Sequence, residues 1–421
     1  MNIGIITYGT RGDVQPYLAL ALGLKAKGHT ITLAAPENFK DFVEHYGIDF
    51  HPIHGNVDKL LYSEEGLRVL KTGNALTLLL YMRKAGKLMM PLIIGDIQAV
   101  CTKVDMMIAS PLTFLWVDSV AVKQRKNWAF FQLGPIVTPT KYFPFIGFAF
   151  FNNPTYNFQS HKLFNFIHWM INRNDVNKFR VSLGIGKLKQ SIFKQIEQEK
   201  ILNLYGISPA LIPRPDDWES HNEITGFLSL PSNSNTNIPG ELKAWLSKGE
   251  APIYIGFGSM PVPDPELLSG ILKELTEVHG RRIIFCKGWS VVENLTEHPD
   301  LFVIESIDHE WLFPQCKAVV FHGGIGTIAT CLKSGVPPIV VSVVGDQPWN
   351  GELIRQKQLG FHIPFKKLTS KRLIDALIKV EEPGIKANIS AIAGKIKNEQ
   401  GLEKAVREME TYFIAKQSSC S

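Results

Sequence analysis

Apolar residues along the chain come in short blocks separated by polar, glycine-containing turns. The first block, Ile3-Gly4-Ile5-Ile6-Thr7, is too short for a helix and rich in β-branched side chains, so it predicts a buried strand. After a polar turn from Gly9 to Gln15, Pro16 predicts the start of a helix that runs to Lys27 and stops at Gly28. Thr30 to Ala34 repeats the strand pattern. Strand, helix and strand in this order predict a parallel sheet, because parallel strands need such a crossover.

The second half alternates more cleanly. Strands are expected at Pro252 to Gly256, Arg282 to Phe285, Leu301 to Ile304, Ala318 to Phe321 and Pro338 to Val343. Helical patterns lie between most of them, notably Pro265 to His279, Thr327 to Lys333 and Gln347 to Leu359. The stretch Leu230 to Gly240 is small, polar and bounded by proline, the composition of a linker. The expected organisation is an α/β domain over 1–230, a linker over 231–240 and a second α/β domain over 241–398. Residues 399–421 carry an amphipathic helix that closes the second domain or packs back on the first.

Composition narrows the function. With 421 residues and 45% hydrophobic content the chain can bury two or three cores, which excludes a disordered or disulfide-stapled protein. A net charge of +6 without a long Lys/Arg run gives nucleic-acid binding little support. The five cysteines are scattered and form no C-x-x-C pair, so neither a disulfide framework nor a structural zinc site is expected. Met1 opens directly onto a strand pattern without the features of a secretory leader, and with the scattered cysteines this makes a reducing cytoplasm the expected compartment. No apolar run is long enough to span a bilayer, so membrane contact, where it occurs, is peripheral, at the inner face. Residues 141–170 hold more aromatic rings than a sheet core requires. They read as ordinary packing, as the wall of a pocket for an apolar ligand, or as a patch that rests on a membrane.

The segment with most chemistry is Phe321 to Asn350. A strand ends at Phe321, the glycine-rich turn His322-Gly-Gly-Ile-Gly326 follows, and a helix is expected from about Thr327. Free backbone N–H groups and the positive end of a helix converge there, which reads as a diphosphate site. His322, Gly324, Gly326 and Thr327 are its candidate residues. Asp346-Gln347 follows the next strand and suits hydrogen bonding to adjacent hydroxyls of a sugar ring; taken alone, Asp346 would read as a helix N-cap.

The pattern H-G-G-x-G-T followed by G-D-Q-P-x-x-N resembles the donor signature of nucleotide-sugar glycosyltransferases of the GT-B fold. Within them the chain is similar to the sterol glucosyltransferase and glycopeptide glycosyltransferase branch. Gly9-Thr-Arg-Gly-Asp-Val-Gln-Pro16, Pro252 to Met260, His309-Glu-Trp-Leu-Phe313 and Ser208 to Trp218 match that branch in the same order. The resemblance implies two Rossmann-like domains with parallel sheets facing across a cleft, the first for an acceptor and the second for a nucleotide sugar.

It also implies inverting, metal-independent transfer of a hexose to a hydroxyl of a hydrophobic small molecule: a sterol, terpenoid, polyketide or phenolic. UDP-glucose is the favoured donor, with a TDP-sugar as the alternative, and no cofactor is implied. Asp13 is the expected general base, and burial against an apolar acceptor would raise its carboxyl from about 3.9. The residue-level alternative for Asp13 is a helix cap. The resemblance places Gly258, Ser259, Trp289 and Ile307 at the donor, and Phe143 and Phe145 at the acceptor. His51 and His54 have a spacing that metal ligands can take, but no further ligand completes a site. A sugar-nucleotide epimerase of the same fold and an inactive lipid- or glycan-binding relative are the competing readings.

Overall fold

The computed structural model describes residues 1–72, 75–148, 151–231, 238–258, 260–288, 292 and 297–418. Two compact units divide the chain. Met1–Val57, Gly86–Leu230 and Glu399–Ser421 make one, and Asp58–Ala85 with Pro231–Asn398 the other.

The first unit is built on a seven-stranded parallel sheet: β1 (Asn2–Ile6), β2 (Thr30–Pro36), β3 (Asp49–Ile53), β4 (Met106–Ala109), β5 (Asn127–Gln132), β6 (Asn203–Tyr205) and β7 (Asn222–Ile224). Their order is β3-β2-β1-β4-β5-β6-β7. Ile3 pairs with Ile31 on one side and Met106 on the other. Ile3, Ile5 and Ile6 are fully buried, as expected of a parallel strand covered on both faces.

The helix Arg11–Ala26 seals one face with Leu18, Leu20 and Leu24. Phe114, Val117 and Val120 seal the other. The last helix, Gly401–Ser418, joins this unit and lays Ala405, Val406, Met409 and Phe413 into the same cluster as the first helix. The two helices touch at Gly23, where a Cβ would stand 2.7 Å from Val406 Cγ2. Any side chain there would push the helices apart.

The second unit holds six parallel strands: β8 (Ile253–Gly256), β9 (Ile283–Cys286), β10 (Leu301–Ile304), β11 (Ala318–Phe321), β12 (Pro338–Ser342) and β13 (Phe361–Pro364). Their order is β10-β9-β8-β11-β12-β13. In both sheets the strand order reverses beside the first strand, between β1 and β4 and between β8 and β11. Open α/β sheets bind ligands outside the carboxyl ends of the strands at such a reversal. Among the described residues no helix is long and apolar enough to cross a membrane.

Two helix starts differ from the sequence reading. The first helix begins at Arg11 instead of Pro16, because Asp13 reaches back to the Thr10 backbone and opens the helix a turn and a half earlier. Pro16 then sits inside it and removes one hydrogen bond, the one its N–H would make to the Gly12 carbonyl. The helix after β11 runs Ile325–Ser334, with Gly324 as its N-cap, two residues ahead of Thr327.

Candidate donor and acceptor sites

In the second unit, β8, β11 and β12 are neighbours, so the loops that leave them emerge side by side. Gly258 comes from the first, His322 to Gly324 from the second, and Asp346 and Gln347 from the third. A Cβ on Gly258 would lie 3.6 Å from His322 Cε1, which places the two loops in contact across the reversal of strand order.

Gly324 is held against His322: a Cβ there would stand 2.7 Å from His322 Nε2, so a side chain would displace the imidazole. The helix Ile325–Ser334 starts at this point, and the N–H groups of its first turn have no acceptor inside the helix. Gly326 faces open space, and Thr327 is half-buried on the same turn. Burial, with a smaller contribution from His309, pushes the His322 imidazole down to about 4. Its Nδ1 is buried without a hydrogen-bond partner.

Asp346 stands at the N-cap position of the helix Gln347–Gln356 without a side-chain capping bond, and accepts a hydrogen bond from Asn350 Nδ2 at 2.8 Å. Burial raises its carboxyl above the ordinary range, and the Asn350 amide works against that rise. Asn350 Nδ2 also donates to the Gly323 carbonyl at 2.9 Å. One amide thereby ties the glycine turn to Asp346. The motif G-D-Q-P-x-x-N ends on this residue, but sequence reading assigned it no role, although Asp346 and Asn350 four residues apart on a helix already face the same side.

Gln347 is almost fully buried, and its Oε1 accepts from the Val343 and Val344 backbone N–H groups at 2.8 and 3.2 Å. Its carbonyl therefore shapes the loop after β12, leaving the NH₂ end to donate. Ile307 is half-buried in the loop after β10, at the same edge of the sheet. Ser259 and Trp289 lie outside the described residues.

In the first unit, Asp13 sits at the carboxyl end of β1. Its Oδ2 accepts from the Thr10 backbone N–H at 2.8 Å and from the Thr10 hydroxyl at 3.1 Å. Gly9, at φ +139°, leaves room for this, since a Cβ would fall 2.3 Å from that oxygen. Asp13 is thus a helix-capping residue at the edge where the resemblance puts a base.

Phe143 and Phe145 lie in the long loop that follows β5, which is two strands from β1 in the sheet. Asp217 holds their loop by accepting from the Thr140 hydroxyl at 2.8 Å and the Lys141 N–H at 2.8 Å. The Phe145 ring is buried, stacked on Phe164 at 4.0 Å between centroids. Phe143 is more open and meets His161 and Trp218 edge-on. Among the described residues no cluster of three or more His, Cys, Asp or Glu is placed to hold a metal ion; His54 instead pairs with Asp96 at 2.7 Å.

Residues 3–115 match the glycosyltransferase family 28 N-terminal domain, and residues 270–409 match the erythromycin biosynthesis protein CIII-like C-terminal domain. A sterol 3-beta-glucosyltransferase of Arabidopsis thaliana is 33% identical over 97% of this chain and 65% of its own length. A second from the same plant is 32% identical over 96% and 67%. The chain spans 34% of a Saccharomyces cerevisiae sterol 3-beta-glucosyltransferase, at 31% identity.

Among solved structures, the glycotransferase of kitacinnamycin superposes with a TM-score of 0.70 at 14% identity, covering 97% of this chain and 98% of that one. A Streptomyces glycosyltransferase complexed with thymidine diphosphate gives 0.63 at 19%, covering 98% and 99%. With this sequence identity and these two sheets, the chain belongs to the sterol 3-beta-glucosyltransferase family of GT-B glycosyltransferases.

Proposed function

We propose that the protein transfers a hexosyl group, glucose, from UDP-glucose to the hydroxyl of a sterol-like alcohol, with inversion at the anomeric carbon. The observation that carries this reading is the cluster at the reversal of the second sheet: Gly258, His322, Gly324, Asp346 and Asn350 on three adjacent strand ends. The family name of the plant and fungal relatives supports the acceptor class, and the thymidine diphosphate in a structural relative supports a pyrimidine nucleotide donor.

In this reading the donor diphosphate lies at the start of the Ile325–Ser334 helix. Its N–H groups and His322 Nε2–H take up the negative charge that grows on the leaving phosphate. Asp346 accepts from sugar hydroxyls, while Gln347 donates to them. Asp13 removes the acceptor proton as the acceptor oxygen forms its bond to the anomeric carbon. The bond from that carbon to the diphosphate oxygen breaks, and UDP leaves with the electron pair. Phe143 borders the acceptor, and Phe145 supports it from behind.

The test is a mass-spectrometric transfer assay, with and without EDTA, pairing UDP-glucose, UDP-galactose and TDP-glucose with sterols, flavonoids and simple phenols. A hexose increment on a sterol with UDP-glucose is expected, undiminished by EDTA. Hexose transfer confined to phenols or to TDP-glucose would overturn the substrate assignment. No transfer from any donor, with tight UDP binding retained, would overturn the transferase reading.

A further inference from the structure

The helix Pro154–Ser182 carries its apolar side outward. Leu163, Phe166, Ile167 and Met170 recur at the three- and four-residue spacing that puts them on one face, and they are 50%, 60%, 38% and 41% exposed. Turned the other way are Asn157, His161, Asn165 and His168. Each has a buried side-chain atom without a hydrogen-bond partner: Oδ1 of the asparagines and Nδ1 of the histidines. A helix on a water-facing surface has the opposite arrangement.

The charges on the helix are also sorted. Lys162, Arg173 and Lys178 are exposed beside the apolar stripe. The helix's single acid, Asp175, follows Phe166 by nine residues, about two and a half turns, which sets it on the opposite side. Phe151, just before the helix, adds a ring that is 65% exposed.

We propose that this face docks on an anionic lipid surface. Leu163, Phe166, Ile167 and Met170 enter the boundary between headgroups and acyl chains, and the three cations meet lipid phosphates. The one-signed border argues against a second copy as occupant. A two-fold contact would bring the cations Lys162, Arg173 and Lys178 of one copy towards those of the other. The helix lies on the bilayer and does not cross it. The inference stands on the helix alone and goes beyond the transfer reading. Were both to hold, the first unit would meet a sterol-like alcohol in the phase that dissolves it.

Co-sedimentation of the full chain with vesicles of phosphatidylcholine, with and without phosphatidylglycerol, tests it in the absence of donor and acceptor. Binding to the anionic vesicles that weakens with salt is expected. The double variants F166S/I167S and K162E/R173E should each lower it by about tenfold or more. UDP binding, unchanged in both, reports that they fold. Wild-type protein left in the supernatant with anionic vesicles would overturn the proposal, as would binding that neither double variant moves. Light scattering that shows a dimer dissolved by F166S/I167S would assign the face to a second copy and overturn it as well. Vesicle binding does not depend on turnover, so a failed transfer assay leaves this result intact.

Discussion

The geometry favours the His322 tautomer that carries its proton on Nε2, the nitrogen nearest Gly324. The buried Nδ1 has no partner, and an unpaired acceptor is tolerated there better than an unpaired donor, which selects the Nε2–H form. With its imidazole held down to about 4, the residue stays neutral at physiological pH and acts as a hydrogen-bond donor without a full charge. Nitrogen NMR should find a neutral Nε2–H imidazole from pH 8 to about 5.5, whereas ordinary titration near 6.5 would contradict the burial. Because the folded value lies below the unfolded one, the folded protein binds fewer protons between the two. The residue's stabilising contribution is complete above that window and is lost as pH falls through it.

His322→Ala should weaken UDP binding by about tenfold, the worth of one good hydrogen bond. Asp13→Asn should lower transfer by about 10² to 10⁴, as loss of a general base does, with UDP affinity unchanged. Asparagine keeps an oxygen for the Thr10 N–H, so the helix start survives the change; loss of both transfer and UDP binding would point to a structural role. His322 and its glycines were legible in the sequence because strand, turn and helix follow one another within a few residues. The role of Asn350 was not, because one of its partners, Gly323, is far away in the chain and meets it only when β11 and β12 pair.

At the scale of elements, the strands that β-branched runs announce are present, among them β1, β2 and β8 to β12. β6 and β7 are three residues long and carry Asn203 and Asn222, whose side chains bond each other inside the sheet at 2.9 Å. Polar residues of this kind look like a loop until their partners are known. The Pro154–Ser182 helix hides a second such case. Arg180, 6% exposed, pairs with the buried Asp118 at 3.3 Å and donates to the Gly186 carbonyl at 2.9 Å. Burial pushes the Asp118 carboxyl up to about 7 even with the guanidinium beside it. Arg180→Ala leaves that carboxyl buried alone and should cost about 3 to 5 kcal/mol in urea unfolding, as broken buried pairs do. A loss under 1 kcal/mol would show that water reaches the pair.

At the scale of the whole molecule, the first unit is assembled from both ends of the chain. The Gly401–Ser418 helix buries Met409 and Phe413 in the cluster that the first helix lines, and Lys404 joins Glu223 at 2.7 Å. Deleting residues 399–421 should therefore leave a protein recovered mainly in the insoluble fraction, with its apolar first helix uncovered. A soluble truncated chain that still binds UDP would show that the second unit folds and protects the rest without this helix.

The close approach at Gly23 also bears on how the protein is made. The helix that covers that glycine follows Leu230 by about 170 residues, the intervening stretch of the second unit, and so emerges from the ribosome roughly 10 to 30 s after it at 5 to 20 residues per second. For that interval the nascent first unit shows a greasy furrow to every chaperone in reach.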